Sequence, residues 1–161
     1  MRIALILGEV RDSETELSDE LGKLGERHRA DHDVYHMSRT LITLHRANLE
    51  TLAPFGERYG RSVDPDAAAS GDGPLAGARE KLSELAGRRP EAGLLLLRDL
   101  RHLHLLYAAA SVDWVLLGQS AQAIRDGELL DAVTSCHPQT LRGMKWTLTR
   151  LKAAAPQVIA G

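Results

Sequence analysis

LLRDLRHLHLLYAAASVDWVLLGQSAQAI, residues 96–124, carries Leu96, Leu100, Leu103, Tyr107, Ala110, Trp114, Leu117, Ala121 and Ile124 at alternating spacings of four and three. Only a helix gathers such a series on one stripe, because the spacing stays close to the 3.6 residues of an α-helical turn, whereas a strand would scatter it over both faces. The series predicts a third helix of about 30 residues. A second apolar set, Leu94, Leu97, Leu105, Ala108, Val112, Val115 and Leu116, lies roughly opposite the first. A helix apolar on two faces is covered by its own bundle or by a second subunit. A small bundle has few helices with which to surround it, so the expectation is homodimerisation through the third helix.

Towards the N-terminus, Leu17, Leu21, Leu24, His28, Asp31 and Tyr35, then Leu41, Leu44, Leu49 and Leu52, follow the same period, with Ser13 as N-cap and Glu16 at the capping-box position. They predict a long first helix over about 13–53, ending near Pro54, with Gly22 and Gly25 weakening its first half and Asp31 a point where it can break. Ile3, Leu7 and Val10 continue the stripe, although Ile3–Leu7 also fits a short strand. Residues 61–73 read as a loop rich in small and turn-forming residues, followed by a short helix carrying Leu75, Ala78, Leu82 and Leu85 and stopped by Gly87 and Pro90. After a turn at Asp126-Gly127, a last helix begins at Leu129, is expected to kink around Cys136-His137-Pro138, and resumes through Leu141, Met144, Leu148 and Leu151 to end before Pro156. The fold expected is one all-α, antiparallel, four-helix-bundle-like domain over 1–161 with long first and third helices.

Composition agrees. The 161 residues include one Phe, two Trp and three Tyr, too few aromatics for a typical sheet protein. Net charge is −2, which offers no electrostatic footprint for nucleic acid or an anionic membrane. Apolar runs stay far below the length of a membrane span, and a single cysteine, Cys136, with no secretory leader points to the cytoplasm.

The residues that suggest chemistry are histidines and aspartates. His28/His32 and His32/His36 stand four apart, the spacing that puts two imidazoles on one helix face within reach of a single metal ion. Asp31, Ser38 and His45 recur every seven residues along the first stripe, with His104 and His137 on the later helices. Buried polar groups need partners, so these residues either hydrogen-bond to one another or share a ligand. The candidate metal ligands are His28, Asp31, His32, His45, His104 and His137. Cys136 beside His137 is a poor nucleophile–base pair, since adjacent helical residues do not face each other.

Asp33-Val-Tyr-His36 and Asp99-Leu-Arg-His102 resemble the carboxylate-x-x-His pairs of ferritin-like di-iron bundles, and the long-helix architecture is similar to that of ferritin-like and hemerythrin-like proteins. That resemblance implies a bundle holding iron or another transition metal and, if it reacts, oxygen or peroxide chemistry. The chain departs from the ferritin-like pattern in having Asp for Glu and no inward-facing Glu, and from the hemerythrin-like one in lacking His-x-x-x-Glu over His28 to His45.

Two other readings stand beside metal binding. One is a non-catalytic homodimeric interaction protein, in which the polar residues specify packing and the second apolar face binds a copy of itself or another protein's helix. The other is a small α/β nucleotide- or flavin-binding domain, with Ile3–Gly8, Leu94–Leu97 and Val112–Gly118 as strands. Against it, the heptad runs straight through the last two segments, and Gly71-Asp72-Gly73 is not a phosphate loop.

Overall fold

The computed structural model describes residues 2–66 and 89–161. Among them are four helices: α1 (Arg2–Arg27), α2 (His32–Tyr59), α3 (Arg89–Ala123) and α4 (Gly127–Ala160). No strand occurs among the described residues, so Ile3–Gly8, Leu94–Leu97 and Val112–Gly118 are helical and the α/β reading falls. The short helix expected over 75–87 and most of the 61–73 loop lie outside the described residues.

The expected first helix over 13–53 is two helices. The chain is helical from Arg2, through the segment that also fitted a strand, and turns back over residues 28–31. Asp31 opens α2 as its N-cap, its carboxylate accepting from the Val34 amide at 3.2 Å. The reversal has a simple cause: one continuous helix would leave its apolar stripe uncovered, whereas two antiparallel halves bury it against each other. Ser13 is therefore not an N-cap; it lies inside α1 with its hydroxyl bonded to Asp113 of α3.

Neither Pro54 nor Pro138 ends or interrupts its helix. Both rings face solvent, where the carbonyl each leaves unpaired can be hydrated. α2 stops instead at Gly60, whose φ of 71° lets its amide reach Glu57 O while Arg61 N reaches Gly56 O, a Schellman ending. α4 continues through Pro156 to Ala160, and Asp126 caps its start by accepting from Leu129 N at 3.0 Å.

Interhelical partners fix the topology. Glu14 faces His45 and Trp114, Arg27 faces Asp99, Arg58 faces Glu128, and His104 faces Thr147, so each helix runs antiparallel to both neighbours in the ring α1, α2, α4, α3. α2 and α3 are then parallel across a diagonal. The chain leaves α2 at one end of the bundle and enters α3 at the other, an axial distance of about 42 Å for a helix of this length.

The first eight members of the α3 heptad, Leu96 to Ala121, are buried. Ile124, just past the helix end, is 41% exposed. The core falls into two apolar clusters. One contains Leu7, Val10, Leu52, Trp114 and Leu129; the other contains Leu17, Leu21, Leu41, Leu100 and Tyr107. What separates them is polar.

Candidate functional site

Continuing the stripe of α1 gives Ile3, Leu7, Val10, Glu14, Leu17, Leu21 and Leu24, again at alternating four and three. Glu14 occupies a core slot and is fully buried. The same spacing on α2 passes through Val34, Ser38, Leu41, His45, Asn48, Leu52 and Phe55, which brings His45 and Asn48 into the interior beside it.

Every other helix supplies a donor to that carboxylate. Glu14 Oε1 accepts from Trp114 Nε1 and from the Thr140 hydroxyl, each at 2.7 Å. Oε2 accepts from His45 Nδ1 at 2.6 Å and from Asn48 Nδ2 at 3.3 Å. The opposite imidazole nitrogen, His45 Nε2, lies 2.7 Å from the Tyr107 hydroxyl. With Nδ1–H donating to Glu14, Nε2 is left to accept the Tyr107 proton, and every member of the chain is satisfied. Asn48 also reaches Cys136 O at 3.3 Å.

The electrostatics follow from this geometry. Burial on its own raises the Glu14 pKa, but the adjacent His45 and the hydrogen bonds from His45, Trp114 and Thr140 outweigh it and hold the carboxyl below its ordinary value. Burial, reinforced by the Glu14 charge, pushes the Tyr107 hydroxyl well up. Burial likewise pushes the Cys136 thiol up to about 11, which makes it a poor nucleophile.

The six candidate metal ligands do not converge. His28 is buried at the end of α1, with Nε2 2.7 Å from Asp99, which also takes Arg27 at 2.7 Å. Asp31 is committed to its cap and to Arg150. His32 is exposed and stacks on His36, with ring centroids 6.2 Å apart. His45 belongs to the central network. His104 Nδ1 donates to Thr147 Oγ1 at 2.8 Å and Met144 O at 3.2 Å, and His137 Nε2 bonds to Ser111 Oγ at 2.9 Å. Burial depresses the His137 pKa.

Among the described residues, no group of three or more His, Cys, Asp or Glu is arranged to hold a metal ion. The donor set at the centre does not fit one either. A cation beside Glu14 would confront the N–H groups of Trp114 and Asn48, which offer it no lone pair. Asp33 and Asp99, the carboxylates of the two resembling pairs, instead form ion pairs with Arg150 and with Arg27 and His28.

Glu14, Asn48 and Thr140 are not among the residues that the sequence pattern singles out, and Tyr107 and Trp114 enter there only as members of the apolar stripe. The expectation that no Glu faces inward is corrected by Glu14. Its signal is the uninterrupted spacing from Ile3 to Leu24, which is lost when the helix is started at Ser13. Comparison of the chain with protein-family models, curated proteins and solved structures gives no match.

A second feature lies on the outside. Leu105, Val112, Val115 and Leu116 of α3 are 46–58% exposed, and Leu141 and Leu148 of α4 about 40%. Leu105, Ala109, Val112 and Leu116 follow a 4-3-4 spacing directly opposite the buried heptad. Between Arg101 and Arg125 the only Lys, Arg, Asp or Glu is Asp113, and it turns toward α1 to meet Ser13. No described helix is long and apolar enough to cross a membrane.

Proposed function

We propose that the protein is a homodimeric helical interaction module whose contact surface is the outer face of α3. The observation that carries this reading is the uncharged, exposed seam Leu105, Ala109, Val112 and Leu116. An apolar seam at coiled-coil spacing is costly to leave in water and suits a second helix.

The seam also suits a second copy in particular. Its spacing reads the same in both directions. An antiparallel partner related by a two-fold axis near Ala110 and Ser111 sets Leu105 against Leu116 and Ala109 against Val112, as an isologous interface requires. The small Ala109 lets the helices approach closely at the centre. Leu141 and Leu148, on the side of α4 that adjoins α3, widen the apolar area available. The closed network around Glu14 supports a packing role for the interior polar groups, since its donors and acceptors are already paired with one another.

Sedimentation equilibrium at micromolar concentration tests the reading. The expected result is a dimer that Leu105→Glu with Val112→Glu converts to a monomer of unchanged helicity. A monomeric wild-type protein, or a dimer indifferent to both substitutions, would overturn it.

A further inference from the structure

A cleft of about 450 Å³ opens between α1 and α3, away from the central network, and is lined by Glu20, Arg27, Leu95, Arg98, Asp99, Arg101 and His102. Its volume falls within the range of small-molecule sites. Its charges are unevenly matched. Asp99 is held by both Arg27 and His28, and Glu20 is taken by Lys23 at 2.7 Å. Arg98 and Arg101 line the same cleft with no carboxylate in ion-pair contact among the described residues.

Arg27, its charge matched by Asp99, adds hydrogen-bond donors. It commits Nη1 to Asp99 and keeps its remaining N–H donors for whatever enters the cleft. His102, 3.8 Å from Glu20 through Nε2, stands more than half exposed at the rim. The local balance is thus positive on a chain whose net charge is −2. Guanidinium groups one helical turn apart present planar forks that match the oxygens of a phosphate. Leu95 gives an apolar contact for the remainder of the ligand.

We infer that this cleft binds a small phosphate-bearing molecule with at least two negative charges, held chiefly by Arg98 and Arg101. The cleft reaches α1, whereas Arg101 stands one turn before Leu105 on the face proposed for the dimer, so the two surfaces adjoin.

Titration calorimetry with inorganic pyrophosphate at low salt, on the full chain, tests this. The expected result is one site per chain, weakened as salt rises. Arg98→Ala with Arg101→Ala should weaken binding about a hundredfold, roughly tenfold for each guanidinium removed. The helicity of that variant should be unchanged, because alanine favours helix at both exposed positions. Arg142→Ala with Lys145→Ala, equally exposed on α4, should leave binding intact. Absence of pyrophosphate binding, full binding by the Arg98/Arg101 variant, or an equal loss in the α4 variant would each overturn the site.

Discussion

His45 Nδ1 and Glu14 Oε2 meet at 2.6 Å with neither side chain exposing any surface. A buried carboxylate is tolerated only when its lone pairs are filled, and here α2, α3 and α4 all donate to one residue of α1. Sliding any of these helices by one turn would take its donor out of reach. The contact therefore fixes axial register in a bundle whose apolar layers alone would permit several.

Removing the acceptor should be severe. Glu14→Ala strands the Trp114, Thr140, Asn48 and His45 donors in the interior and is expected to cost about 3–5 kcal/mol in denaturant unfolding. Glu14→Gln, which keeps one acceptor oxygen, should cost less. A loss below about 1 kcal/mol for the alanine variant would show that the network adds little more than one ordinary hydrogen bond.

Acid should act through the same carboxylate. The Glu14 and Asp99 pKa values are depressed in the folded protein, so the stability they contribute is fully present above their unfolded values, about 4.3 and 3.9, and is lost as pH falls through the folded ones. Unfolding free energy should be nearly insensitive to these two groups from pH 7 to about 5 and fall steeply below about 4. Glu14→Gln should flatten that fall, as urea titrations at several pH values would show.

Tyr107 and Gly143 form a fitted pair. A Cβ on Gly143 would overlap the Tyr107 ring and hydroxyl, and the fully buried ring has no room to withdraw. Gly143→Ala should destabilise by about 1–3 kcal/mol through overpacking, even though alanine is the better helix former. Combination with Tyr107→Leu should cost less than the two single changes added together.

Asp31 separates capping from ligation. Asp31→Ala should cost about 1 kcal/mol, with much of the loss restored by Asp31→Ser, because serine also caps but cannot pair with Arg150. Thermal melts of both variants check this. Equal losses for the two would mean that the ion pair, not the cap, matters at this position.

Arg125 is the one described non-glycine residue at positive φ, 57°, where α3 gives way to α4. Its amide bonds to Gln122 O and the Asp126 amide to Ala121 O, the hydrogen bonds of a Schellman ending that glycine usually closes. Arg125→Gly should therefore raise stability by about 0.5–1 kcal/mol, read as a higher denaturation midpoint.

The orientation of the proposed dimer has its own signature. In an antiparallel α3 pair, the separation between equivalent residues grows by about 3 Å for each position away from the two-fold axis. Spin labels at Val112 should lie close together, and labels at Leu94 roughly 50 Å apart along the axis. Equal distances at the two positions would indicate a parallel pairing instead.

Much of the bundle is legible in the chain. The α3 heptad from Leu96 to Ala121 reads as one buried stripe, and its helix stands where that stripe requires. Leu105, Val112 and Leu116 read as a second apolar face; the fold leaves them exposed, and nothing in a single sequence distinguishes a face covered within the bundle from one turned outward. The reversal at residues 28–31 is only weakly marked, because no Gly or Pro stands there and Asp31 can cap a helix or lie on one.

What the sequence determined by itself is therefore periodicity: which residues share a helix face, since a turn of 3.6 residues is a local property of the backbone. Even the core slots of Glu14, His45 and Asn48 follow from that rule once the helices are started at the right residues. The tertiary structure alone decided which polar groups meet. Glu14 and Trp114 are far apart in the chain yet 2.7 Å apart in space, while His28 and His32, four apart, are drawn to different partners by the turn between α1 and α2. Proximity along a helix follows from local geometry, but proximity between helices depends on how the chain folds back to cover its own apolar surface.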